Sequence, residues 1–121
     1  MSSKKTLVLG ASIKPERYSN MAIHRLCSNR IEVNAFGLKK GTVCGIDIDT
    51  ELQSYKSIHT VTLYLNPKRQ EAYYDYIIDL NPNRVIFNPG TENPEFYKRL
   101  NEAAINYEAA CTLVLLSTNQ Y

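Results

Sequence analysis

The stretch TLVLGAS at residues 6–12 decides the fold of this chain. Its apolar run is short and continuous and ends at Gly10, which is typical of a strand buried on both faces. After a polar loop, the apolar positions of residues 22–27 fall on one face of a helix, for which Ser19 or Asn20 is the predicted N-cap. A buried strand, a glycine turn and an amphipathic helix together predict the first unit of an α/β fold.

The same alternation of strand and helix continues along the chain. Four further strands are predicted, at residues 32–36, 59–65, 84–88 and 109–116. Part of the last stretch could instead form a short terminal helix. Asn66-Pro67 and Asn93-Pro94 each put an N-cap asparagine before a proline, which predicts helices over about 67–80 and 94–107. Residues 38–58 have no clear period and are expected to be irregular, although residues 42–44 and 46–48 could be short extended pieces.

This alternation predicts one domain over residues 1–121. Right-handed crossovers between strands give a three-layer, Rossmann-like, doubly wound parallel sheet with helices on both faces. For five strands the expected order is 3-2-1-4-5. Ligands of such sheets bind beyond the carboxyl ends of the strands, so the candidate site lies in the loops after Leu9, Phe36, Leu65 and Asn88.

Composition excludes several classes of protein. Of 121 residues, 44% are apolar and 21% are charged, as in globular domains rather than disordered chains. A net charge of +2 gives no general attraction to nucleic acid. No run of about 18 apolar residues predicts a membrane helix, and no signal-peptide core is present, so we expect a cytoplasmic protein. The three cysteines have no CxxC spacing, and no metal site is predicted.

The loop after the first strand is the strongest candidate for ligand binding. The small residues Gly10, Ala11 and Ser12 let a ligand approach the backbone closely. The following helix start offers free N–H groups and positive potential. Lys14 and Arg17 in the same loop can pair with anionic oxygens, so the pattern predicts a phosphate-binding loop.

The second strand argues against a dinucleotide site. The GxGxxG fingerprint is absent, because Ser12 stands where the second glycine would lie. An NAD-binding fold carries an acidic residue at the end of this strand, whereas this chain continues from Phe36 to Lys39-Lys40. Lysines suit an additional phosphate better than a ribose diol.

Two motifs resemble those of a known family. The first motif is carried by Gly10, Ala11, Ser12, Pro15, Arg17, Tyr18, Ser19 and Asn20. The second is the segment NPGTEN at residues 88–93, and Cys111 resembles a cysteine that is common after the family's last strand. From Lys5 to about Leu116 the chain is therefore similar to the small stand-alone CoA-binding domains, which resemble the N-terminal domain of the succinyl-CoA synthetase α subunit.

The resemblance implies CoA or an acyl-CoA as the ligand. It implies that the pyrophosphate lies over Ser12 and the helix start, and that a lysine of the pair 39–40 meets the 3′-phosphate, which distinguishes CoA from NAD. Residues 64–67 would line the adenine or pantetheine side. The predicted binding residues are Gly10, Ala11, Ser12, Lys14, Pro15, Arg17, Ser19, Asn20, Phe36, Lys39, Lys40, Tyr64, Leu65, Asn66, Pro89 and Gly90.

No catalytic residue is predicted. His24 and His59 have no recognisable partner acid, and the helical pair Asp75 and Asp79 is expected to be solvated. A non-catalytic binding module is favoured, with no nucleic-acid or membrane partner. Two alternatives stay open, an NAD(P)-dependent oxidoreductase and a protein-interaction module with a degenerate pocket. In the second, the tyrosine-rich helix 67–80 would contact a second copy or another protein.

Overall fold

Strand β1 (Thr6–Ala11) lies inside a seven-stranded sheet in a computed structural model that describes residues 4–121. The other strands are β2 (Val33–Gly37), β3 (Gly41–Val43), β4 (Ile46–Asp49), β5 (Thr60–Leu63), β6 (Arg84–Phe87) and β7 (Asn106–Ala109). The helices are α1 (Tyr18–Ser28), α2 (Pro67–Gln70), α3 (Tyr74–Leu80), α4 (Pro94–Glu102) and α5 (Thr112–Ser117). A single 3-10 turn (Glu71–Tyr73) separates α2 from α3.

Side chains of β1 alternate between two cores, because neighbouring residues of a strand point to opposite faces. Leu7 and Leu9 belong to a core that includes Ile77 of α3 and Phe96 of α4. Val8 belongs to a second core, which includes Ile23 of α1 and Leu116 of α5. Helices therefore cover both faces of the sheet, and the predicted α/β, Rossmann-like architecture is confirmed.

The predicted strand number and strand order are wrong. The sheet has the order β3-β4-β2-β1-β5-β6-β7, and every neighbouring pair is parallel except β3 and β4. The third parallel strand is β4, which pairs with β2 through Ala35 opposite Ile48 and Phe36 opposite Asp49. The predicted third strand is β5, and it pairs with β1 on the other side. Counted without β3, the parallel strands follow the order 3-2-1-4-5-6 of doubly wound nucleotide-binding folds.

Residues 38–58 are thus only partly irregular, since they contain the β3–β4 hairpin. Its two-residue turn, Cys44-Gly45, has φ angles of +53° and +75°. Two positive φ angles are the signature of a type I′ turn, whose usual sequence is Asn-Gly or Asp-Gly. Because a cysteine stands in the first position, the sequence does not predict this hairpin turn.

The predicted last strand, residues 109–116, is also displaced. Strand β7 is Asn106–Ala109 at the edge of the sheet, where its side chains are largely exposed and give no apolar signal. The apolar residues that follow form helix α5, which packs Leu116 into the core beside α1. The alternative of a terminal helix describes this segment correctly.

Two of the three predicted helix N-caps agree with the structure. Asn66 and Asn93 cap α2 and α4, and their side-chain oxygens accept from the N–H groups of Arg69 and Phe96. Helix α1, however, begins at Tyr18 with Arg17 at the N-cap. The predicted caps Ser19 and Asn20 therefore lie inside its first turn. Within residues 4–121, no helix has the length and apolar character needed to cross a membrane.

Candidate ligand-binding cleft

A cleft of about 490 Å³ opens at the carboxyl ends of β1, β2, β5 and β6. This is the edge at which doubly wound sheets bind their ligands. All but three of the predicted binding residues line it, namely Gly10, Ala11, Ser12, Lys14, Arg17, Ser19, Phe36, Lys39, Tyr64, Leu65, Asn66, Pro89 and Gly90. The fold therefore brings together residues from four separate loops.

The other three predicted residues lie outside the lining. Pro15 is exposed on the loop before α1. Asn20 is buried, and its amide Nδ2 donates to the carbonyl of Ser12 at 2.9 Å, so it holds the loop in place. Lys40 lines a separate depression of about 420 Å³, which it shares with the carboxylates of Asp47 and Glu51.

Two glycines allow the strand ends to meet at the cleft. Gly10 has a φ of +100°, and a Cβ there would lie 2.9 Å from the carbonyl oxygen of Tyr64. A Cβ on Gly37 would lie 2.3 Å from the carbonyl oxygen of Ala11. The register between β1 and β2 shifts between Leu9 and Ala11, so the chain bulges at Gly10 and turns toward the cleft.

The start of α1 offers hydrogen-bond donors to the cleft. Arg17, the N-cap residue, makes no side-chain capping bond. The backbone N–H groups of Tyr18 and Ser19 have no acceptor among residues 4–121. Free N–H groups and the positive end of the helix dipole favour an anion here. Ser12 is fixed beside them, because its Oγ accepts from the N–H of Lys14 at 3.1 Å.

Charge in the cleft has one sign. Its lining includes the cations Lys14, Arg17, Lys39 and Arg69, and no Asp or Glu among the described residues. None of these cations forms an ion pair within the described chain. Unpaired cations around a concave surface raise the local concentration of anions, so the cleft favours an anionic ligand.

Arg69 is a lining residue that sequence reasoning missed. It lies in α2, where its N–H donates to the side chain of Asn66 at 2.9 Å. The Asn66-Pro67 start was visible in the sequence, and it places the first turn of α2 beside the carboxyl end of β5. That placement is the signal that would have found Arg69.

Aromatic and apolar groups form the remaining walls. The rings of Phe36 and Tyr73 meet edge to face with centroids 5.6 Å apart, and both residues line the cleft. Burial raises the pKa of Tyr64 to about 12, so its phenol stays neutral. The further lining residues that the prediction did not include are Ile13, Tyr18, Gly37, Leu38, Tyr73 and Thr91. Apolar walls with a few directional polar groups are typical of nucleotide-ligand sites.

A buried hydrogen-bond network fixes the loops on the β5–β6 side. The amide Nε2 of Gln70 donates to the carbonyls of Leu65 and Thr91, both at 2.8 Å. The amide Nδ2 of Asn88 donates to Thr62 Oγ1 at 2.7 Å, and its Oδ1 accepts from the N–H of Thr112 at 2.9 Å. Buried amides with these bonds satisfied hold the segment 88–91 in one conformation before a ligand arrives.

The histidines lie away from these loops or outside the lining. His59 precedes β5 at the amino end of the sheet, and its ring Nδ1 lies 2.8 Å from Thr60 Oγ1. Burial, with Arg84 and Lys4 nearby, lowers the pKa of His59. Within residues 4–121, no group of three or more His, Cys, Asp or Glu residues is arranged to hold a metal ion.

Comparison with known proteins identifies the class to which this fold and cleft belong. The chain is a member of the CoA binding domain family, whose model matches residues 4–117. It is 45% identical to an uncharacterized protein of known crystal structure, with a TM-score of 0.96 and full coverage of both chains. No functionally curated protein is similar enough to match.

Two further solved structures have the same fold. A hypothetical protein from Pyrococcus horikoshii OT3 is 26% identical, with a TM-score of 0.86 over 98% of this chain and 84% of that one. A protein from Thermus thermophilus is 22% identical, with a TM-score of 0.85 over 98% of this chain and 91% of that one. The second likeness supports the fold alone.

Proposed function

We propose that this protein binds CoA or an acyl-CoA in the cleft and acts as a binding module without catalytic groups of its own. The observation that carries the proposal is the set of four cations without a lining carboxylate, beside the free N–H groups of α1. CoA carries a pyrophosphate and a 3′-phosphate, and its adenine and pantetheine parts suit the aromatic and apolar walls. Membership of the CoA binding domain family supports the same ligand.

The pyrophosphate has a site of its own in this proposal. Ser12, Lys14 and Arg17 surround the start of α1, where the N–H groups of Tyr18 and Ser19 are free. Backbone donors and cations at one helix start are the usual surroundings of a pyrophosphate in doubly wound folds.

The 3′-phosphate is assigned to Lys39 and Arg69. Lys39 follows Phe36 at the end of β2, and Arg69 lies four residues before Tyr73. Both cations line the cleft together with the aromatic wall that the touching rings of Phe36 and Tyr73 form. A base against that wall would put its ribose phosphate within reach of both cations, which pair well with phosphate.

A non-catalytic role is supported by the chemistry of the lining. Its described residues include no His, Asp or Glu to act as a general base and no Cys, so the hydroxyls of Ser12, Ser19 and Thr91 have no such base in the lining to activate them. Incubation with acetyl-CoA, followed by assay of released thiol, tests this part. We expect no release of thiol above the rate in buffer, and multiple turnovers would contradict a non-catalytic role.

A thermal-shift panel with CoA, acetyl-CoA, NAD and NADP tests the ligand. A ligand that binds the native state raises the melting temperature by mass action. We expect CoA and acetyl-CoA at millimolar concentration to raise it and NAD to leave it unchanged. A larger shift with NAD or NADP would favour the oxidoreductase, and no shift with any nucleotide would favour the protein-interaction module.

A further inference from the structure

Two of the three cysteines lie close together near the end of α1. Cys27 is in the last turn of α1, and Cys44 is at the tip of the β3–β4 hairpin. Cys27 Sγ lies 4.0 Å from the carbonyl oxygen of Cys44, and the residues are 17 positions apart in sequence. Cys111 is not part of this pair, because it lies at the N-cap of α5.

Cys44 occupies a backbone conformation that cysteine rarely adopts. Its φ of +53° belongs to the first central position of the type I′ turn, where Asn, Asp and Gly are favoured. Its thiol is exposed at the tip of the hairpin. Turn chemistry does not account for a cysteine here, and an unfavourable residue in a strained turn points to a role for its side chain.

We propose that Cys27 and Cys44 are a reversible dithiol–disulfide pair that is oxidised by exchange with a low-molecular-weight disulfide such as oxidised glutathione. The proposal needs neither the cleft nor its ligand. It concerns a different surface, which the sequence pattern did not single out.

The exchange proceeds in two balanced steps. The exposed Cys44 thiolate attacks one sulfur of the small disulfide, whose S–S bond breaks and releases one thiolate. Cys27 Sγ then attacks Cys44 Sγ in the mixed disulfide and expels the second thiolate. The protons of both cysteine thiols pass to the two released thiolates. Two protein thiols are oxidised, and one small disulfide is reduced to two small thiols.

The surroundings of the two thiols set their order of reaction. Burial, together with the hydrogen bond to Cys44, raises the pKa of Cys27 to about 11, so this thiol is largely protonated near neutral pH. Cys27 is therefore a poor first nucleophile. Once Cys44 carries a leaving group beside it, proximity makes Cys27 the resolving thiol.

The disulfide links α1 to the hairpin that follows β2. Cross-linking residues 17 apart restricts the unfolded chain and stabilises the native one. For a chain of this size we expect the melting temperature to rise by roughly 5–15 °C. The link would be reducible, as exposed disulfides in strained turns are.

Peptide mapping of the wild-type protein tests the pair directly. The native protein is incubated with oxidised glutathione, free thiols are blocked by alkylation, and tryptic peptides are analysed without reduction. We expect a cross-link between peptides 26–30 and 41–56, an alkylated Cys111, a raised melting temperature, and reversal of both changes by dithiothreitol. Alkylation of all three cysteines would overturn the proposal.

Single serine variants provide the controls. Cys111→Ser should leave the cross-link and the thermal shift intact. Cys44→Ser should abolish both changes and leave Cys27 alkylated, without a glutathione adduct, because the exposed nucleophile is gone. A stable glutathione adduct on Cys44 with free Cys27, or a link to Cys111, would also contradict the pair. The peptide map of the wild-type protein still tests the Cys27–Cys44 cross-link if one variant folds poorly.

Discussion

The ring of Tyr73 meets the ring of Phe36 edge to face, with centroids 5.6 Å apart. This contact joins the end of β2 to the 3-10 turn after α2, and Lys39 and Arg69 line the same cleft as the two rings. Neither cation has an acidic partner within the described chain. The arrangement makes the proposed 3′-phosphate site testable with neighbouring lysines as controls.

Lys39→Ala and Arg69→Ala should each weaken CoA binding about fivefold, and weaken dephospho-CoA binding much less. An exposed ion pair contributes up to about 1 kcal/mol, which corresponds to that change in affinity. Calorimetric titration with both ligands measures the difference, which should shrink as salt is added.

Lys40→Ala and Lys68→Ala are the matched controls for these variants, because each removes the same charge next to the cleft but outside its lining. Their affinities for CoA should stay within about twofold of wild type. Equal losses in the control and test variants would show a general effect of net charge and no 3′-phosphate site.

Gly10→Ala should destabilise the fold by at least about 2 kcal/mol. The added Cβ would lie 2.9 Å from the carbonyl oxygen of Tyr64, at a φ of +100°. Gly90→Ala is the control, since its φ is +91° but a Cβ there meets nothing within 4 Å, so about 1 kcal/mol is expected. Urea unfolding measures both, and equal losses would show that the clash with Tyr64 is unimportant.

Asn88→Ala should cost about 3 kcal/mol of unfolding free energy, because it removes bonds to Thr62 and Leu63 and leaves the N–H of Thr112 without an acceptor. Asn101→Ala removes an exposed asparagine and should change stability by less than about 0.5 kcal/mol. A loss at Asn88 no larger than at Asn101 would mean that the buried network does not hold the β6 loop.

Stability should fall as the pH is lowered from about 7 to 5 through His59. Burial and the nearby cations lower the pKa of His59 in the folded state, so the unfolded chain binds more protons in this range. The free energy of unfolding must then decrease with falling pH. His59→Gln should flatten this part of the profile. An unchanged slope in His59→Gln would refute the assignment.

Sequence patterns located most elements, and they failed where a local signal was missing. Asn66 and Asn93 predict the helices that follow them, and in the structure their side chains cap these helices. Strand β4 was considered only as a short extended piece, because Ile46 and Ile48 give too short an alternation to predict a strand and the hairpin turn contains a cysteine. Because β4 was not counted as a strand, β5 was numbered as the third parallel strand, and the predicted strand order was wrong.

The cleft was predictable where its residues lie in strand-end loops, because the topology of parallel sheets brings those loops together. Tyr73 lies in the tyrosine-rich segment 67–80, where the sequence gives no sign of a ligand site, and the structure places it in the cleft against Phe36. Lys39 and Lys40 were indistinguishable in sequence, and the turn into β3 separates them between two depressions. Neighbouring residues of a turn point in different directions that periodicity does not resolve.

Calorimetric titration of the wild-type protein with CoA and with dephospho-CoA tests whether the cleft binds CoA through its 3′-phosphate. We expect saturable binding of CoA at one site per chain, and binding of dephospho-CoA that is at least about fivefold weaker. No heat of binding with millimolar CoA, or equal affinity for the two ligands together with tighter binding of NAD, would contradict it.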